Sequence, residues 1–393
     1  MNQCQKIITN YNIKVSSNLV DCLTPDYVYI PVISHSKIFV KNKDQVNKDQ
    51  IIIENKDHLI GSPISGQVVG TSLITIDNNQ QVKGIIIENN FKETIKNRRP
   101  ARKDISKLSK TEILELIKTF QLTENRNNQL LIKKFEKITN IKYLLINGVE
   151  NEPYICNKTK ILNKYDTEIL DTISALAKSF DLTMTFIALK SIDTENISKY
   201  NFILGSYPEI SLKLMPDLYP IADYKILEKY MANQNIPNNE LLILDVEDIL
   251  MIYNVLKKNR FDSEKIITVT GNAVVKPSVV KVKIGTTAVD ILKQFKLNTE
   301  EVEFFADGLL KGYLIYNINN YVITDRTKGI IINIKADNHE TECINCGKCN
   351  EVCPVGLNPK IKDQTNTCLK CNLCSYYCPA NIKIKFRGDA DEK

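Results

Sequence analysis

The sequence predicts a multidomain chain of the α/β plus α+β class, and three patterns predict it. Short β-rich runs separated by Gly, Pro, Asn and Asp turns fill the first quarter, strands then alternate with amphipathic helices, and eight of the 11 cysteines crowd between Cys343 and Cys378. With 393 residues and 43% apolar content, the chain is long enough for several ordinary cores.

The β-rich runs fall at 28–33, 37–40, 51–54, 66–76 and 82–88, an all-β unit. Its segment Gly61-Ser62-Pro63-Ile64-Ser65-Gly66 is similar to the entry strand of lipoyl- and biotinyl-carrier sandwiches, without the Met-Lys-Met turn that would carry a swinging cofactor. Ser109-Lys110-Thr111-Glu112 predicts a capped helix start, with apolar residues at 113, 114, 116, 117 and 120 on one face. Further helices are expected at 128–137, 166–179, 224–231 and 246–257, around strands at 142–146, 182–189 and 241–245. That alternation predicts a partly parallel sheet. A smaller α+β module follows, with strands at 265–270 and 278–284, a helix at 288–295 and a last strand at 329–335.

Charge excludes little and composition more. The formal charge of +6 is spread too thinly to make a nucleic-acid footprint, apart from the run Lys96-Asn97-Arg98-Arg99-Pro100-Ala101-Arg102-Lys103, read as a solvated linker. No stretch approaches the roughly 18 apolar residues of a membrane helix, and the N-terminus lacks a signal-peptide pattern, so a soluble chain that docks on membrane partners is expected. Crowded cysteines in such a chain point to metal binding in a reducing compartment rather than to a disulfide framework.

The two cysteine runs are one motif written twice: Cys343-x2-Cys346-x2-Cys349-x3-Cys353-Pro354 and Cys368-x2-Cys371-x2-Cys374-x3-Cys378-Pro379. Two-residue gaps bring three thiolates of a loop to three corners of a cubane, and the fourth cysteine ligates the other cluster. Two [4Fe–4S] clusters are therefore expected, one on Cys343, Cys346, Cys349 and Cys378, the other on Cys368, Cys371, Cys374 and Cys353. Gly347 and Asn372, each following a second cysteine, suit the positive φ such loops need. Zinc would more often use two separated two-cysteine knuckles. With every iron already ligated, the role is electron relay, and Lys348, Lys360, Lys362 and Lys370 would favour an acidic redox partner.

Several segments together resemble the C subunit of the Rnf-type ion-translocating ferredoxin:NAD oxidoreductase complex, a family related to the flavin- and NADH-binding subunit of respiratory NADH dehydrogenase. They are Ile30-Pro31-Val32-Ile33-Ser34-His35 with 61–70, Leu108-Ser109-Lys110-Thr111-Glu112-Ile113, the loop Asn147-Gly148-Val149-Glu150-Asn151-Glu152-Pro153-Tyr154, Val269-Thr270-Gly271-Asn272 with Ile284-Gly285-Thr286, and the cysteine runs. The resemblance implies a barrel-sandwich hybrid over 1–98, a Rossmann-like flavin/NADH domain over 104–260, a β-grasp (SLBB-like) module over 261–336 and a dicluster ferredoxin-type helical domain over 337–393. It also implies FMN and NAD(H) beside Asn147, Glu150, Glu152 and Tyr154, and partners that include membrane redox subunits, ferredoxin and NADH at the cytoplasmic face of the membrane.

The chain departs from the family pattern at the phosphate-gripping loop. From Ile85 through Asn147 there is no glycine, and the place of the glycine-rich loop is taken by Phe120-Gln121-Leu122-Thr123-Glu124-Asn125-Arg126-Asn127. Backbone amides reach a phosphate best without a Cβ in the way, and Glu124 would repel one. His35, His58 and His339 are isolated and read as structural, and Cys156 as a small buried apolar residue. The function expected is relay through two clusters between an NADH/flavin site and membrane redox subunits. The alternative is a soluble iron–sulfur adaptor feeding a cytosolic reductase, like the proline-reductase- or corrinoid-reductase-associated relatives.

Overall fold

The computed structural model describes residues 15–16, 18–55, 58–95, 100–127, 129–150, 152–336, 339–359 and 367–384. Lys96 to Arg99 of the basic run, Asn128, Asn151, Lys360 and Lys362 lie outside the described residues.

The chain is a mixed α/β protein built on several sheets. Near the N-terminus, Tyr27–Val32, Gln80–Asn89, Gly66–Ile76 and Gln45–Val46 pair in that order into an antiparallel sheet, and Lys37–Ile38, Ile51–Asn55 and His58–Gly61 form a second one. Alternation explains the packing, since Val28, Ile30, Ile85 and Ile87 point inward from one sheet and meet Ile52 and Ile53 from the other.

In the middle of the chain, Tyr143–Asn147, Met184–Lys190, Ile210–Met215 and Leu241–Asp245 make a four-stranded, wholly parallel sheet. Numbered along the chain, their order across the sheet is 3-2-1-4. Both faces are covered. Leu144 and Ile146 pack with the helices Lys110–Thr119, Asp166–Ser179 and Val246–Tyr253, whereas Leu145 packs on the opposite face with Leu227 and Met231 of the helix Tyr224–Ala232. Strands buried on both sides need continuous apolar runs, and Leu241-Leu242-Ile243-Leu244 is one. The capped helix start is present, with the Ser109 hydroxyl accepting from the Glu112 amide at 3.3 Å and the Glu112 carboxylate accepting from the Ser109 N–H at 2.8 Å.

Differences from the expected elements have local causes. The helix expected from 128 begins at Leu131, because Glu124 N–H donates to the Gln129 carbonyl and Leu131 N–H to the Leu122 carbonyl, setting Thr123 antiparallel to Leu130. The helix expected over 246–257 ends at Tyr253 and widens into a π turn over Asn254–Lys258. The helices Asn157–Lys164 and Thr194–Ile203 and the strand Ile210–Met215 add to those expected.

A six-stranded mixed sheet follows, in the order Leu19–Asp21, Ser278–Lys283, Glu264–Thr270, Gly329–Ile334, Val302–Ala306 and Tyr313–Leu314. Its first strand comes from the beginning of the described chain and runs parallel to Ser278–Lys283. Among the described residues, the cysteine-rich end carries two four-residue helices, Lys348–Glu351 and Leu373–Tyr376.

Candidate functional site

In a 3-2-1-4 sheet the direction of winding reverses between the first and fourth strands, and the carboxyl ends of those strands border the crevice where doubly wound folds bind ligands. Asn147 and Asp245 are the last residues of these two strands and face one another in register. The Asn147 amide donates to Asp245 Oδ1 at 2.9 Å, and its own oxygen accepts from the Val149 N–H at 3.2 Å. Lys158, from the helix that follows the Asn147 loop, reaches the same Asp245 oxygen at 2.7 Å. All three side chains are buried. The ammonium holds the Asp245 carboxyl below its ordinary range against the opposing effect of burial, and Lys158 is raised in turn.

Three further acids of this edge, Glu150, Asp248 and Glu152, are taken up by backbone amides. Glu150 Oε1 accepts from the Thr159 N–H at 3.0 Å, in the first turn of the helix Asn157–Lys164, and burial pushes its carboxyl up to about 8. Asp248 accepts from the amides of Asp245 at 3.1 Å and Asn125 at 2.9 Å, and burial followed by the Asp245 charge raises it to about 7. Glu152 accepts from the amides of Leu310 at 3.0 Å and Lys311 at 3.2 Å, and burial raises it to about 7. Gly308 makes that approach possible, for a Cβ there would lie 2.3 Å from Glu152 Oε2, and its φ of +140° suits glycine. Tyr154 turns the acidic loop with φ +68° and stands half-buried.

From Glu152 the contacts lead to the cysteines. Leu310, whose amide serves Glu152, accepts through its carbonyl from the Asn372 side chain at 2.7 Å. Tyr219 donates its hydroxyl to the Cys371 carbonyl at 2.8 Å, and its phenol is raised by burial and then by the Glu152 charge. Tyr219, Leu310, Val352, Cys371 and Leu373 form one small apolar core. The second cysteine run is thus seated against the carboxyl edge of the parallel sheet, with Cys371 and Cys374 buried, while Cys343 and Cys346 of the first run are exposed.

The two runs share a backbone as well as a spacing. Asn345 and Lys370, Gly347 and Asn372, and Gly356 and Asn381 are equivalent pairs, and all six residues have positive φ. The short helices start two residues after Cys346 and Cys371, and the amides of Gly356 and Asn381 close equivalent turns onto Cys353 and Cys378 at 3.1 and 3.0 Å. All eight are free thiols. Cys353, Cys368, Cys371 and Cys374 line one small cavity. Cys353 Sγ accepts from the Leu357 amide at 3.2 Å and Cys368 Sγ from the Lys370 amide at 3.3 Å, the kind of hydrogen bond that steadies cluster thiolates. Among the described residues no three His, Cys, Asp or Glu side chains converge as ligands of a single ion. The thiol donors and the repeated loop geometry are compatible with an iron–sulfur ligand set.

Of the residues singled out in the acidic loop, Asn147, Glu150 and Glu152 gather at the sheet edge, each committed to a protein partner. Asp245, Lys158 and Tyr219 complete the edge and were not anticipated. A signal for Asp245 existed, namely a lone carboxylate ending the apolar run Leu241-Leu242-Ile243-Leu244. His58, in the strand His58–Gly61, lies 3.4 Å from Asp325, in the turn that precedes Gly329–Ile334. Cys156 is largely buried, which raises its thiol to about 12.

Residues 128–256 match the family described as the Nuo51 FMN-binding domain. The chain is 30% identical over 229 residues to the C subunit of the ion-translocating oxidoreductase complex of Rhodobacter capsulatus, a match covering 55% of this chain and 44% of that one. It is 23% identical over 362 residues to the C subunit of the proton-translocating ferredoxin:NAD(+) oxidoreductase complex of Clostridium ljungdahlii, covering 86% of this chain and 78% of that one. The match to the Rhodobacter capsulatus relative thus spans less than half of that relative's length. Among solved structures, an NAD+-reducing nickel–iron hydrogenase in its air-oxidised state is similar with a TM-score of 0.48 and 11% identity, over 58% of this chain and 47% of that one. No helix among the described residues is long and apolar enough to cross a membrane. The chain is a homologue of the C subunits of ion-translocating oxidoreductase complexes.

Proposed function

We propose that this chain is an electron-transfer subunit of a membrane-associated, ion-translocating oxidoreductase complex, peripheral on the cytoplasmic face, and that its C-terminal cysteines relay electrons from a nicotinamide- or flavin-linked donor to membrane redox subunits. Cys343, Cys346, Cys349 and Cys378 would hold one [4Fe–4S] cluster, and Cys368, Cys371, Cys374 and Cys353 the other; the clusters supply one-electron transfer. The observation that carries the reading is the doubled backbone of the two runs, whose three pairs of left-handed positions recur at the same offsets from the cysteines. The cavity lined by Cys353 with Cys368, Cys371 and Cys374 supports the crossed ligand sets, and the relatives' names support the complex. The four-part division at 98/104, 260/261 and 336/337 belongs to the same proposal, supported by the sheets confined to 27–89 and 143–245, while Leu19–Asp21 departs from it by joining the sheet of the 261–336 unit.

Anaerobic purification with iron, sulfide and zinc quantification, followed by EPR after reduction, tests the cluster reading. About eight irons per chain and two interacting reduced signals are expected from two cubanes. Stoichiometric zinc, or iron-free protein that cannot be reconstituted, would overturn it. A soluble adaptor feeding a cytosolic reductase is the second reading, favoured by the crowded sheet edge, which suits a protein donor. Fractionation of the native cells separates the two, since the main reading requires the chain to sediment with membranes and be released by salt.

A further inference from the structure

We infer that the crevice at the carboxyl edge of the parallel sheet is closed to a flavin phosphate by the chain's own carboxyl groups, so that the donor of electrons is a separate molecule rather than an FMN held here. The inference does not rest on the cluster reading.

A phosphate bound at such an edge uses amides left free at helix N-termini and in a glycine-rich turn. At each of these places the structure shows amides that serve a protein acid. The first turn of the helix Asn157–Lys164 gives its Thr159 amide to Glu150 at 3.0 Å. At the helix Val246–Tyr253, Asp245 and Asp248 form a reciprocal cap, each carboxyl accepting from the other's amide. The turn at 308–311 gives the amides of Leu310 and Lys311 to Glu152. Protonated or ionised, these oxygens occupy the positions that phosphate oxygens would need.

The segment that stands in for a glycine-rich loop closes over the same edge. Asn125 donates its backbone amide to Asp248 at 2.9 Å and its side-chain amide to Glu247 at 2.5 Å, while Lys265 donates to the Asn125 side-chain oxygen. Arg126 pairs with Asp223 at 2.7 Å and lies over the Tyr224 ring, 4.2 Å from its centroid. Lys134 pairs with Glu124 at 3.1 Å and Lys158 with Asp245 at 2.7 Å, so both ammonium groups are engaged by protein carboxylates, and Arg126 keeps only its buried Nη1 without a partner. The neighbouring cavity, of about 230 Å³, is lined by the carboxylates of Glu124, Glu247, Asp248, Asp262, Glu264 and Asp325 against four Lys and Arg cations. A phosphate dianion placed there would displace buried ion pairs, and its desolvation would go uncompensated.

The test uses the full chain, purified anaerobically with its iron content measured, and titrates it with FMN. Expected are no saturable quenching of FMN fluorescence, no flavin retained through gel filtration, and no rise in melting temperature at saturating FMN. One flavin retained per chain, or a melting temperature that climbs with FMN, would overturn the inference. Iron content reads out the cluster proposal separately, so eight irons without flavin supports both, and flavin without iron removes both. Because a poorly folded chain would also fail to bind, a cooperative thermal transition in the same sample is required, and Lys158→Met, which opens the buried pair, should lower that transition without creating FMN binding.

Discussion

Asn372 donates its side-chain amide to the Leu310 carbonyl at 2.7 Å while holding a backbone φ of 58°. One residue therefore shapes the second cysteine loop and ties it to the turn that serves Glu152. Asn372→Gly keeps the left-handed conformation and loses the bond, at about 1 kcal/mol. Asn372→Val loses both and should cost roughly 1–2 kcal/mol more, the penalty of a β-branched residue forced into that region. At Gly347, the equivalent residue of the first run, an added Cβ would meet nothing within 4 Å, so Gly347→Val should carry the backbone penalty alone. Denaturant titration under anaerobic conditions checks the ranking; equal losses for both Asn372 variants would contradict it.

Burial of the acids at the sheet edge makes stability depend on pH with a definite sign. Glu150 is raised to about 8, and Glu152 and Asp248 to about 7, chiefly by desolvation. The folded chain then keeps protons that the unfolded chain has released, so the free energy of unfolding falls as pH rises from the ordinary carboxylate range through about 8. Asp245, held low beside Lys158, contributes oppositely, and only in more acidic solution. The melting temperature should therefore be higher at about pH 6 than at about pH 8.5, and Glu150→Gln should flatten the slope. A melting temperature that rises across this interval would show that these carboxyls are ionised in the folded chain.

What could be read in the sequence was whatever depends on neighbours in the chain. The capping box at Ser109 and Glu112, the apolar strand ending at Asp245, and the left-handed positions Gly347 and Asn372 follow from short-range chemistry and stand in the structure as expected. The helix Asn157–Lys164 is rich in Asn and Lys with Ile161 and Leu162 as its only apolar residues, and Thr194–Ile203 has weak apolar periodicity, so tertiary packing through Leu162 and Tyr200 is what holds them. Long-range register was not legible at all. That Asn147 faces Asp245, or that Tyr219 reaches Cys371 across 152 positions, depends on strand order and loop docking, which no local pattern encodes. The acidic loop was therefore found, but its occupation by the chain's own partners was not.

Lys158 and Asp245 offer the sharpest test of the buried edge. Removing the ammonium leaves a buried carboxylate without its counterion, which typically costs about 3–5 kcal/mol. Lys158→Met should therefore be strongly destabilising by denaturant titration. Adding Asp245→Asn to the same chain removes the stranded charge and should restore most of the loss. If the single and double variants are equally unstable, the pair is not the electrostatic unit its 2.7 Å contact suggests.

Tyr219 connects the parallel sheet to the second cysteine run, and its removal separates the two consequences of that contact. The hydroxyl donates to the carbonyl of Cys371 at 2.8 Å inside a small apolar core, so Tyr219→Phe keeps the packing and loses one hydrogen bond. The expected cost in stability is about 1 kcal/mol. A donor near a cluster ligand draws electron density away and favours the reduced state, so its loss should lower a reduction potential. Under the proposed ligand sets only one cluster includes Cys371, and redox titration followed by EPR should show one midpoint moving down and the other holding still. Two midpoints moving together would mean that the contact acts on the whole domain, and two unchanged midpoints with the same loss of stability would reduce Tyr219 to a packing residue.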